Sequence, residues 1–272
     1  MIIPQDTPDL VQFMCNICGH ANSLAKGMFH RELALCANCG SNARFRGIVN
    51  VLGMSLGKKS GAVLASWPRG KTIVGMGMSD WPGYANHLAA TFSYENTFYD
   101  REPRLDIQQI AQGRIGRYDF VISSDVFEHI PPPLQSAFDN LYALLKPGGS
   151  LIFSVPYTRL PQTIEHYPGL NEYNIFDFYG KKILVNRDLA GRLQVYDDLV
   201  FHGGEGATLE LRLFCEADVL DRLVKSGFTS IRVHEIPEIA IGHYWPELRS
   251  PDPHAPSLFA YIISAQRPVV GR

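Results

Sequence analysis

The fold is decided by residues 117–156, RYDFVISSDVFEHIPPPLQSAFDNLYALLKPGGSLIFSVP. The apolar run at 120–122 is typical of a buried strand, and a second apolar run follows at 150–155. Between them, apolar side chains recur at helical spacing: Phe138, Leu141, Leu144 and Leu145. The KPGG sequence at 146–149 combines a cation, a helix breaker and two glycines, which predicts the end of that helix. A strand, a helix and a second strand in this order form the repeating unit of a doubly wound α/β sheet.

Polar residues follow the first of these strands directly. Ligands of doubly wound sheets bind at the carboxyl ends of the strands. Asp125, Glu128 and His129 come just past that end. The sequence therefore predicts that these three residues lie near a binding site.

The same forty residues resemble the second half of class I S-adenosylmethionine-dependent methyltransferases. The resemblance rests on the order YD, apolar strand, D-V-x-E-H, helix, L-K-P-G-G, apolar strand and proline. It implies a Rossmann-like seven-stranded α/β sheet over about residues 70–266, with one antiparallel strand in a final hairpin. It also implies methyl transfer with S-adenosylmethionine as cofactor.

Length and composition are those of a globular protein with one large domain, or with a medium domain and a small appendage. The chain has 272 residues, of which 46% are hydrophobic and 19% charged, with a net charge of −2. The charge argues against a polyanion as the main partner. We find neither an apolar run of membrane-spanning length nor a signal peptide at the amino terminus, so we expect a cytoplasmic protein without a membrane partner. The oligomeric state stays open.

Four of the five cysteines form two CxxC pairs, which predict a zinc-ribbon-like module over residues 1–46. The four are Cys15, Cys18, Cys36 and Cys39. Two such pairs supply four soft ligands in the tetrahedral geometry that suits a structural Zn²⁺. A four-cysteine site leaves no open position, so we assign it no catalysis. Residues 47–272 form the predicted methyltransferase domain.

The cofactor loop is expected in the sequence KTIVGMGMSD at residues 71–80, a short strand that runs into small residues. Gly75, Gly77 and Ser79 would let the backbone approach the cofactor closely. The family pattern has an acid at the strand end and then three glycines, whereas here Gly75 takes the place of the acid and Ser79 that of a glycine. Asp80 is the substitute candidate for the contact with the methionine amino group.

Further cofactor contacts are expected after the next strands. Asp100, or alternatively Glu95, is placed to accept from both ribose hydroxyls. The resemblance implies that Asp106 accepts from the adenine amino group and that Ile107 packs on the ring. It also places Ser124 and Asp125 at the cofactor site.

Residues 157–208 break the pattern and are rich in aromatic and turn residues. A structureless loop of this length is unusual unless it covers a binding site. Insertions after the fifth strand of the family commonly cover the substrate, so we interpret this segment as a substrate cap. The last two strands are expected at 229–235 and 258–265.

Methyl transfer needs a general base only if the acceptor carries a proton on the attacked atom. The candidate histidines are His202, His166 and His129, with His202 preferred because it precedes a glycine-rich loop. A different hypothesis is a divalent metal held by Asp125, Glu128 and His129. Residues at i, i+3 and i+4 share a helix face, and this set is similar to the ExxEH site of ubiquinone-pathway and small-RNA methyltransferases.

The sequence thus predicts a methyltransferase that acts on an oxygen, carbon or nitrogen of a small molecule or glycan intermediate. One alternative is an RNA methyltransferase that docks RNA through the zinc module, although the module lacks a clear excess of positive charge. The other alternative is a non-catalytic binding module on the same fold, which the degenerate glycine loop favours.

Overall fold

The structure is a computed structural model that describes residues 9–202, 208–244 and 257–269. The α-helices are α1 (Ala43–Ser55), α2 (Pro82–Thr91), α3 (Leu134–Leu144) and α4 (Glu216–Lys225). The strands are β1 (Leu10–Met14), β2 (Ala21–Ala25), β3 (Gly70–Met78), β4 (Phe92–Thr97), β5 (Tyr118–Ser124), β6 (Leu145–Ser154), β7 (Tyr157–Thr158), β8 (Ile164–Glu165), β9 (Glu172–Phe178), β10 (Lys181–Arg187), β11 (Leu193–Tyr196), β12 (Phe201–His202), β13 (Thr208–Leu209), β14 (Arg212–Cys215), β15 (Thr229–His234) and β16 (Ile262–Gln266). Among the described helices, none is long and apolar enough to cross a membrane.

The central sheet has the strand order β15-β16-β6-β5-β3-β4. β3, β4, β5 and β6 are parallel, and β16 is antiparallel to both of its neighbours. The doubly wound sheet with a final antiparallel strand is therefore confirmed, with β15 and β16 close to the predicted positions.

The resemblance predicts seven strands in the central sheet, whereas the described residues form six there. At the edge beyond β4, the chain makes only an isolated bridge between Phe98 and Arg104. The segment that follows turns back on itself because Oδ1 of Asp106 accepts from the backbone N–H of Gln108 at 2.9 Å. A side chain that takes up a backbone donor locally competes with strand pairing.

The unit that decides the fold is confirmed as β5, α3 and β6. Phe127, Phe138 and Phe153 form its buried centre, with ring centroids of Phe127 4.7 Å from Phe138 and 5.1 Å from Phe153. The predicted end of the helix before KPGG is confirmed, since α3 ends at Leu144. β6 begins at Leu145 directly after it, so residues 146–149 are already part of this strand.

The cysteine module and the sheet share one hydrophobic core. Ile17, between the first two cysteines, is fully buried in the same cluster as Phe120 and Ile122 of β5. The backbone also joins the two parts, because the N–H of Leu64 donates to the carbonyl of Asn16 at 2.8 Å. The predicted domain boundary at residue 46 falls inside α1, whose apolar face enters this core.

The predicted glycine loop is largely a strand. β3 continues through Met78, so Gly75 and Gly77 are paired in the sheet rather than exposed in a loop. A Cβ atom on Gly75 would lie 2.0 Å from the ring of Phe120, and one on Gly77 would lie 2.0 Å from Oδ2 of Asp80. These two glycines are therefore required by packing against neighbouring side chains.

The predicted cap is folded rather than structureless. β9, β10 and β11 form an antiparallel three-stranded sheet. Leu184 of β10 is fully buried in a small core of its own, whereas the opposite face of this sheet exposes Phe176 and Val195. The sequence did not reveal these strands because apolar and charged residues are mixed on the face that stays exposed. A clear strand pattern needs one buried apolar face and one polar face.

Candidate functional site

A cavity of about 580 Å³ lies at the carboxyl ends of β3, β4 and β5. This is the edge at which doubly wound sheets bind ligands. Its size is in the range of sites for small molecules and cofactors. The lining residues are Met78, Ser79, Thr97, Phe98, Tyr99, Asp100, Leu105, Asp106, Ile107, Gln108, Asp125, Val126, His129, Ile130, Pro131, Tyr173, Ile175, Thr208, Leu209 and Leu211.

The structure brings five of the eight predicted cofactor residues to this cavity: Ser79, Asp100, Asp106, Ile107 and Asp125. The other three lie elsewhere. Gly75 and Gly77 are inside β3, as described above. The hydroxyl of Ser124 lies 2.8 Å from that of Ser154 and accepts from Arg44 at 2.9 Å. The assignment of cofactor contacts to these eight residues stays a prediction.

Two residues at the strand ends have left-handed backbone conformations. The φ angle is 56° at Ser79, after β3, and 55° at Asp125, after β5. The N–H of Ser79 donates to Thr97 at 2.7 Å, and that of Asp125 donates to Ser154 at 2.9 Å. Strained backbone of this kind persists only where the surroundings hold it, and it is concentrated at functional sites.

The two carboxylates predicted to hold the nucleoside differ in their surroundings. The side chain of Asp100 is 73% exposed and lies 3.7 Å from the guanidinium of Arg101. Asp106 is half-buried, and one of its oxygens is used in the turn to Gln108. Ile107, next to it, is buried and apolar. Glu95, the alternative to Asp100, is paired with Arg114 and does not line the cavity.

Asp80, the substitute candidate for the amino-group contact, is turned away from the cavity. It is buried and accepts a short hydrogen bond from the hydroxyl of Tyr94. Burial raises the pKa of this carboxyl to about 7, and hydrogen bonds from Tyr94 and Tyr84 and the charge of Arg44 offset only part of the shift.

Of the predicted catalytic residues whose side chains the structure describes, His129 alone lines the cavity. Its Nδ1 lies 2.8 Å from the carbonyl oxygen of Leu209. Since a carbonyl can only accept, Nδ1 carries the proton and the neutral imidazole has its basic lone pair on Nε2. Oε1 of the buried Glu128 lies 3.8 Å from that Nε2.

The other two candidate histidines are placed differently. Nε2 of His166 lies 2.9 Å from Oε1 of Glu210, and neither residue lines the cavity. Glu210 stands between Leu209 and Leu211 in the sequence, and both of these leucines do line the cavity. His202 ends β12, where its backbone pairs with Thr208, and its side chain lies outside the described residues.

The structure does not gather Asp125, Glu128 and His129 into one metal-binding set. Within the described part of the chain, only the four cysteines bring three or more such ligand atoms together. The i, i+3, i+4 argument was wrong here because Asp125 precedes a short 3₁₀ turn, Phe127–His129, instead of lying on an α-helix. Its carboxylate contacts Arg31, whereas Glu128 is fully buried.

The cap supplies cavity residues that sequence reasoning missed. Tyr173 and Ile175 of β9 line the cavity, together with Thr208, Leu209 and Leu211 from the chain that returns from the cap. Burial raises the pKa of Tyr173, so its phenol is a hydrogen-bond donor at neutral pH. The aromatic richness of 157–208 predicted a binding role, which stays a prediction, and the fold shows which residues of this segment line the cavity.

The four cysteines form a compact cluster whose ligand atoms all lie within 4.8 Å of one another. The two knuckles are alike. The N–H groups of Gly19 and Gly40 donate to the carbonyls of Cys15 and Cys36 at 2.8 and 2.9 Å, and both glycines have positive φ angles of 80° and 74°. A tight turn with positive φ favours glycine.

Comparison with known proteins places the chain in a family. A family model described as "Methyltransferase domain" matches residues 56–194, just over half of the chain. The chain belongs to this methyltransferase family. The matched residues include β3, β4 and β5, whose carboxyl ends form the cavity, as well as β6 and most of the cap. The chain thus combines membership of a methyltransferase family with a doubly wound α/β sheet.

Curated relatives match over a shorter stretch. Ubiquinone biosynthesis O-methyltransferase of Acinetobacter baumannii (strain AYE) is 31% identical over 86 residues, which is 32% of this chain and 35% of the relative. The enzyme of the same name from Acinetobacter baylyi is 32% identical over 87 residues, again 32% and 35% of the two chains. The chain therefore matches about a third of the length of these relatives.

Solved structures of methyltransferases are similar at low identity. Burkholderia thailandensis 1,6-didemethyltoxoflavin-N1-methyltransferase is 15% identical with a TM-score of 0.41, and the match covers 83% of this chain and 78% of that one. A methyltransferase from Clostridium acetobutylicum is 13% identical with a TM-score of 0.37, over 70% and 82% of the two chains.

Proposed function

We propose that this methyltransferase transfers the methyl group of S-adenosylmethionine to a small molecule held under the β-sheet cap. The observation that supports this most directly is the cavity at the carboxyl ends of β3, β4 and β5. It combines exposed and half-buried carboxylates with apolar walls, and cap residues line it beside His129. S-adenosylmethionine supplies a methyl group that is already activated on a sulfonium, so positioning provides much of the catalysis.

The residues at one end of the cavity fit an adenosine. The carboxylate of Asp100 has room to accept from ribose hydroxyls because it is largely exposed. Asp106 presents a second carboxylate, and the buried Ile107 and Leu105 offer apolar contacts for a purine ring. Ser79, with its left-handed backbone, lets the end of β3 approach the cofactor as a glycine would.

The acceptor end is formed by the cap. Tyr173, Ile175, Leu209 and Leu211 make this end mostly apolar, with the phenol of Tyr173 as a hydrogen-bond donor. This composition favours a small acceptor with an aromatic or aliphatic body and at least one polar group. The O-methyltransferase name of the curated relatives is consistent with a hydroxyl acceptor.

His129 is the general base in this proposal. Its Nε2 carries the lone pair, because Nδ1 donates to Leu209. The carboxylate of Glu128 at 3.8 Å would stabilise the imidazolium that forms when a proton arrives. Leu211 N–H donates to the carbonyl of Glu128 at 2.8 Å, so the returning cap chain holds the base in position.

A structural Zn²⁺ in the four-cysteine cluster is part of the proposal. A tetrahedral site with Zn–S bonds of about 2.3 Å places its sulfurs about 3.8 Å apart. The sulfurs of Cys15 and Cys39, and those of Cys18 and Cys36, are each 3.7 Å apart. The hydroxyl of Ser41 lies 3.3 Å from two of these sulfurs, as expected of a group that supports thiolate ligands.

The buried Arg46 supports a negatively charged metal site. Its guanidinium donates to three carbonyl groups, at 2.5 Å to Ser41, 3.0 Å to Ala34 and 2.8 Å to Gly242, and more weakly to the hydroxyl of Ser41 at 3.5 Å. A buried cation needs a counter-charge. Burial lowers the pKa of Arg46 to about 10, and the charges of the cysteine thiolates oppose this lowering. Four thiolates with one Zn²⁺ carry a charge of about −2.

The arginines of the cysteine module argue against the alternative in which this module docks RNA. Arg46 is fully buried, and Arg31 and Arg44 are paired with Asp125 and Glu32. Their charges face inward, whereas a phosphate-binding surface presents free cations to solvent.

The test is methyl transfer from radiolabelled S-adenosylmethionine to an extract of the source cell, separated into small molecules, glycans, RNA and protein. We expect label in the small-molecule or glycan fraction, resistant to nuclease and absent without enzyme. A matched variant, His129→Gln, should lower this label, whereas His87→Gln, on α2 and outside the cavity lining, should not. Label removed by RNase would contradict the proposed substrate class.

A further inference from the structure

We infer that the four-cysteine module forms part of the methyl-transfer site, and that Arg31 of this module positions Asp125 for cofactor binding. The inference rests on the proposed function, because it concerns the same cavity. It assigns a positioning role to a residue outside the matched methyltransferase domain, which begins at residue 56.

The contact between the module and the site is a compact network of charges. Nη2 of Arg31 lies 2.5 Å from Oδ1 and 2.7 Å from Oδ2 of Asp125, and its Nη1 donates to Oε1 of Glu32 at 2.7 Å. Arg44 donates to both oxygens of Glu32, at 2.7 and 3.0 Å, and lies 3.4 Å from Asp125. Two cations and two anions therefore balance.

Three of the four side chains in this network are shielded from solvent, which strengthens their contacts, whereas that of Glu32 is 39% exposed. The side chains of Arg31 and Arg44 are only 12% and 15% exposed, and that of Asp125 is 21% exposed. Charged hydrogen bonds at this depth are stronger than surface ion pairs, whose charges water screens. The loss of one partner leaves an uncompensated charge beside the cavity.

Asp125 needs such support because of its backbone. It has a φ of 55° directly after β5, where the chain leaves the sheet and lines the cavity. A left-handed aspartate is held there by contacts made elsewhere. Its backbone N–H is held by Ser154, and both oxygens of its carboxylate are held by Arg31. The module thus fixes one wall of the cavity.

The position of both arginines follows from the second cysteine knuckle. Arg31 lies five residues before Cys36, and Arg44 lies five residues after Cys39. The backbone N–H of Arg44 donates to the carbonyl of Arg31 at 3.2 Å, which brings the two side chains together. The cysteine pair therefore places the arginines at the cavity edge.

The test is the dissociation constant of S-adenosylhomocysteine, measured by titration calorimetry on the full chain. We expect Arg31→Met to weaken binding at least tenfold. Arg31→Lys should also weaken it, because an ammonium keeps the charge but not the two separate nitrogens that bridge Asp125 and Glu32. The control is Lys26→Met in the same module, whose only described ion pair is exposed, with Asp9 at 3.6 Å.

A double-mutant cycle separates positioning from a general effect on folding. In an Asp125→Asn background, Arg31→Met should change the affinity less than twofold, since the partner carboxylate is already gone. Melting temperature and bound metal are measured on each variant to check the fold. Equal affinity of wild type and Arg31→Met, or an unchanged effect of Arg31→Met in the Asp125→Asn background, would overturn the inference. Failure of the wild type to bind would instead contradict the proposed function.

Discussion

Asp80 is a buried carboxyl whose ionisation opposes folding. Its pKa is about 7 in the folded protein against a usual 3.8, chiefly because burial penalises the charged form. Below about pH 4 the group is protonated in both folded and unfolded chains. As the pH rises from about 4 to about 7, the Asp80 carboxyl ionises in the unfolded chain before it does in the folded one. The free energy of unfolding therefore falls over this range.

We therefore predict a pH-dependent effect of Asp80→Asn. The free energy of unfolding of wild type minus that of the variant should fall as the pH rises from 4 to 7, by a few kcal/mol as an order of magnitude. Urea denaturation at several pH values measures this difference. Asp221→Asn, which removes an exposed ion pair with Lys225, is the control and should give a constant difference. A constant difference for Asp80→Asn as well would mean that burial does not raise the pKa of Asp80.

For His129 we predict a loss of turnover without a loss of acceptor binding. His129→Gln should lower kcat by about 10²- to 10⁴-fold, the usual contribution of a general base, and leave KM for the acceptor within about threefold. Steady-state kinetics with the acceptor found by label transfer provide the measurement. Unchanged kcat would exclude His129 as the base.

At the scale of single residues, the sequence predicted which residues lie near the cavity better than it predicted their contacts. Ser79, Asp100, Asp106, Ile107 and Asp125 were expected near the cofactor, and all five line the cavity. The pairing of Asp125 with Arg31 joins residues 94 positions apart in the sequence, and no local pattern signals it. The roles of Gly75 and Gly77 were also out of reach, because they depend on rings and carboxylates from neighbouring strands.

At the scale of elements, the sheet and its helices followed from hydrophobic periodicity, and the cap did not. β5, α3 and β6 are buried on predictable faces, since both sides of the sheet are covered. The cap strands bury one face only, in a core of a few side chains such as Tyr167, Leu170 and Leu184. A short amphipathic strand of this kind gives too weak a pattern to predict.

The small core of the cap predicts how its packing affects the site. Leu184→Ala should destabilise the β9–β11 sheet by about 2–5 kcal/mol, because it leaves a cavity under strand β9. Since Tyr173 and Ile175 of β9 line the acceptor end, KM for the acceptor should rise at least about tenfold. Affinity for S-adenosylhomocysteine should change less than twofold.

The matched control is Val195→Ala on β11, whose side chain is 64% exposed on the other face of the same sheet. It should leave both constants unchanged. Hydrogen exchange over residues 172–196 measures the loosening directly. Equal loss of acceptor and S-adenosylhomocysteine binding in Leu184→Ala would mean that the cap closes over the cofactor instead.

At the scale of the whole molecule, the cysteine module and the methyltransferase sheet share one buried core. Cys15, Ile17 and Cys36 belong to the same buried cluster as residues of β5 and β6. The sequence suggested two consecutive units because the cysteines stand apart from the α/β pattern. The shared core places Ile17 in one cluster with Phe120 and Ile122, which lie more than a hundred positions away in the sequence.

We therefore predict that the module and the sheet unfold together when metal is lost. Cys36→Ser, or removal of zinc by a chelator, should lower the melting temperature of the whole protein by about 10 °C or more in a single transition. Calorimetry checks this. Cys215→Ser is the control, because this cysteine lies outside the cluster and its sulfur caps α4, a role that serine fills well. Two separate transitions, with the second unchanged, would show independent domains.

Equilibrium binding of S-adenosylhomocysteine shows whether the cavity at the strand ends is the site for S-adenosylmethionine. We expect saturable binding by wild type with a micromolar dissociation constant, at least tenfold weaker binding by Asp100→Ala, and unchanged binding by Asp221→Asn. An absence of saturable binding by wild type, or equal affinity of wild type and Asp100→Ala, would contradict this assignment of the site.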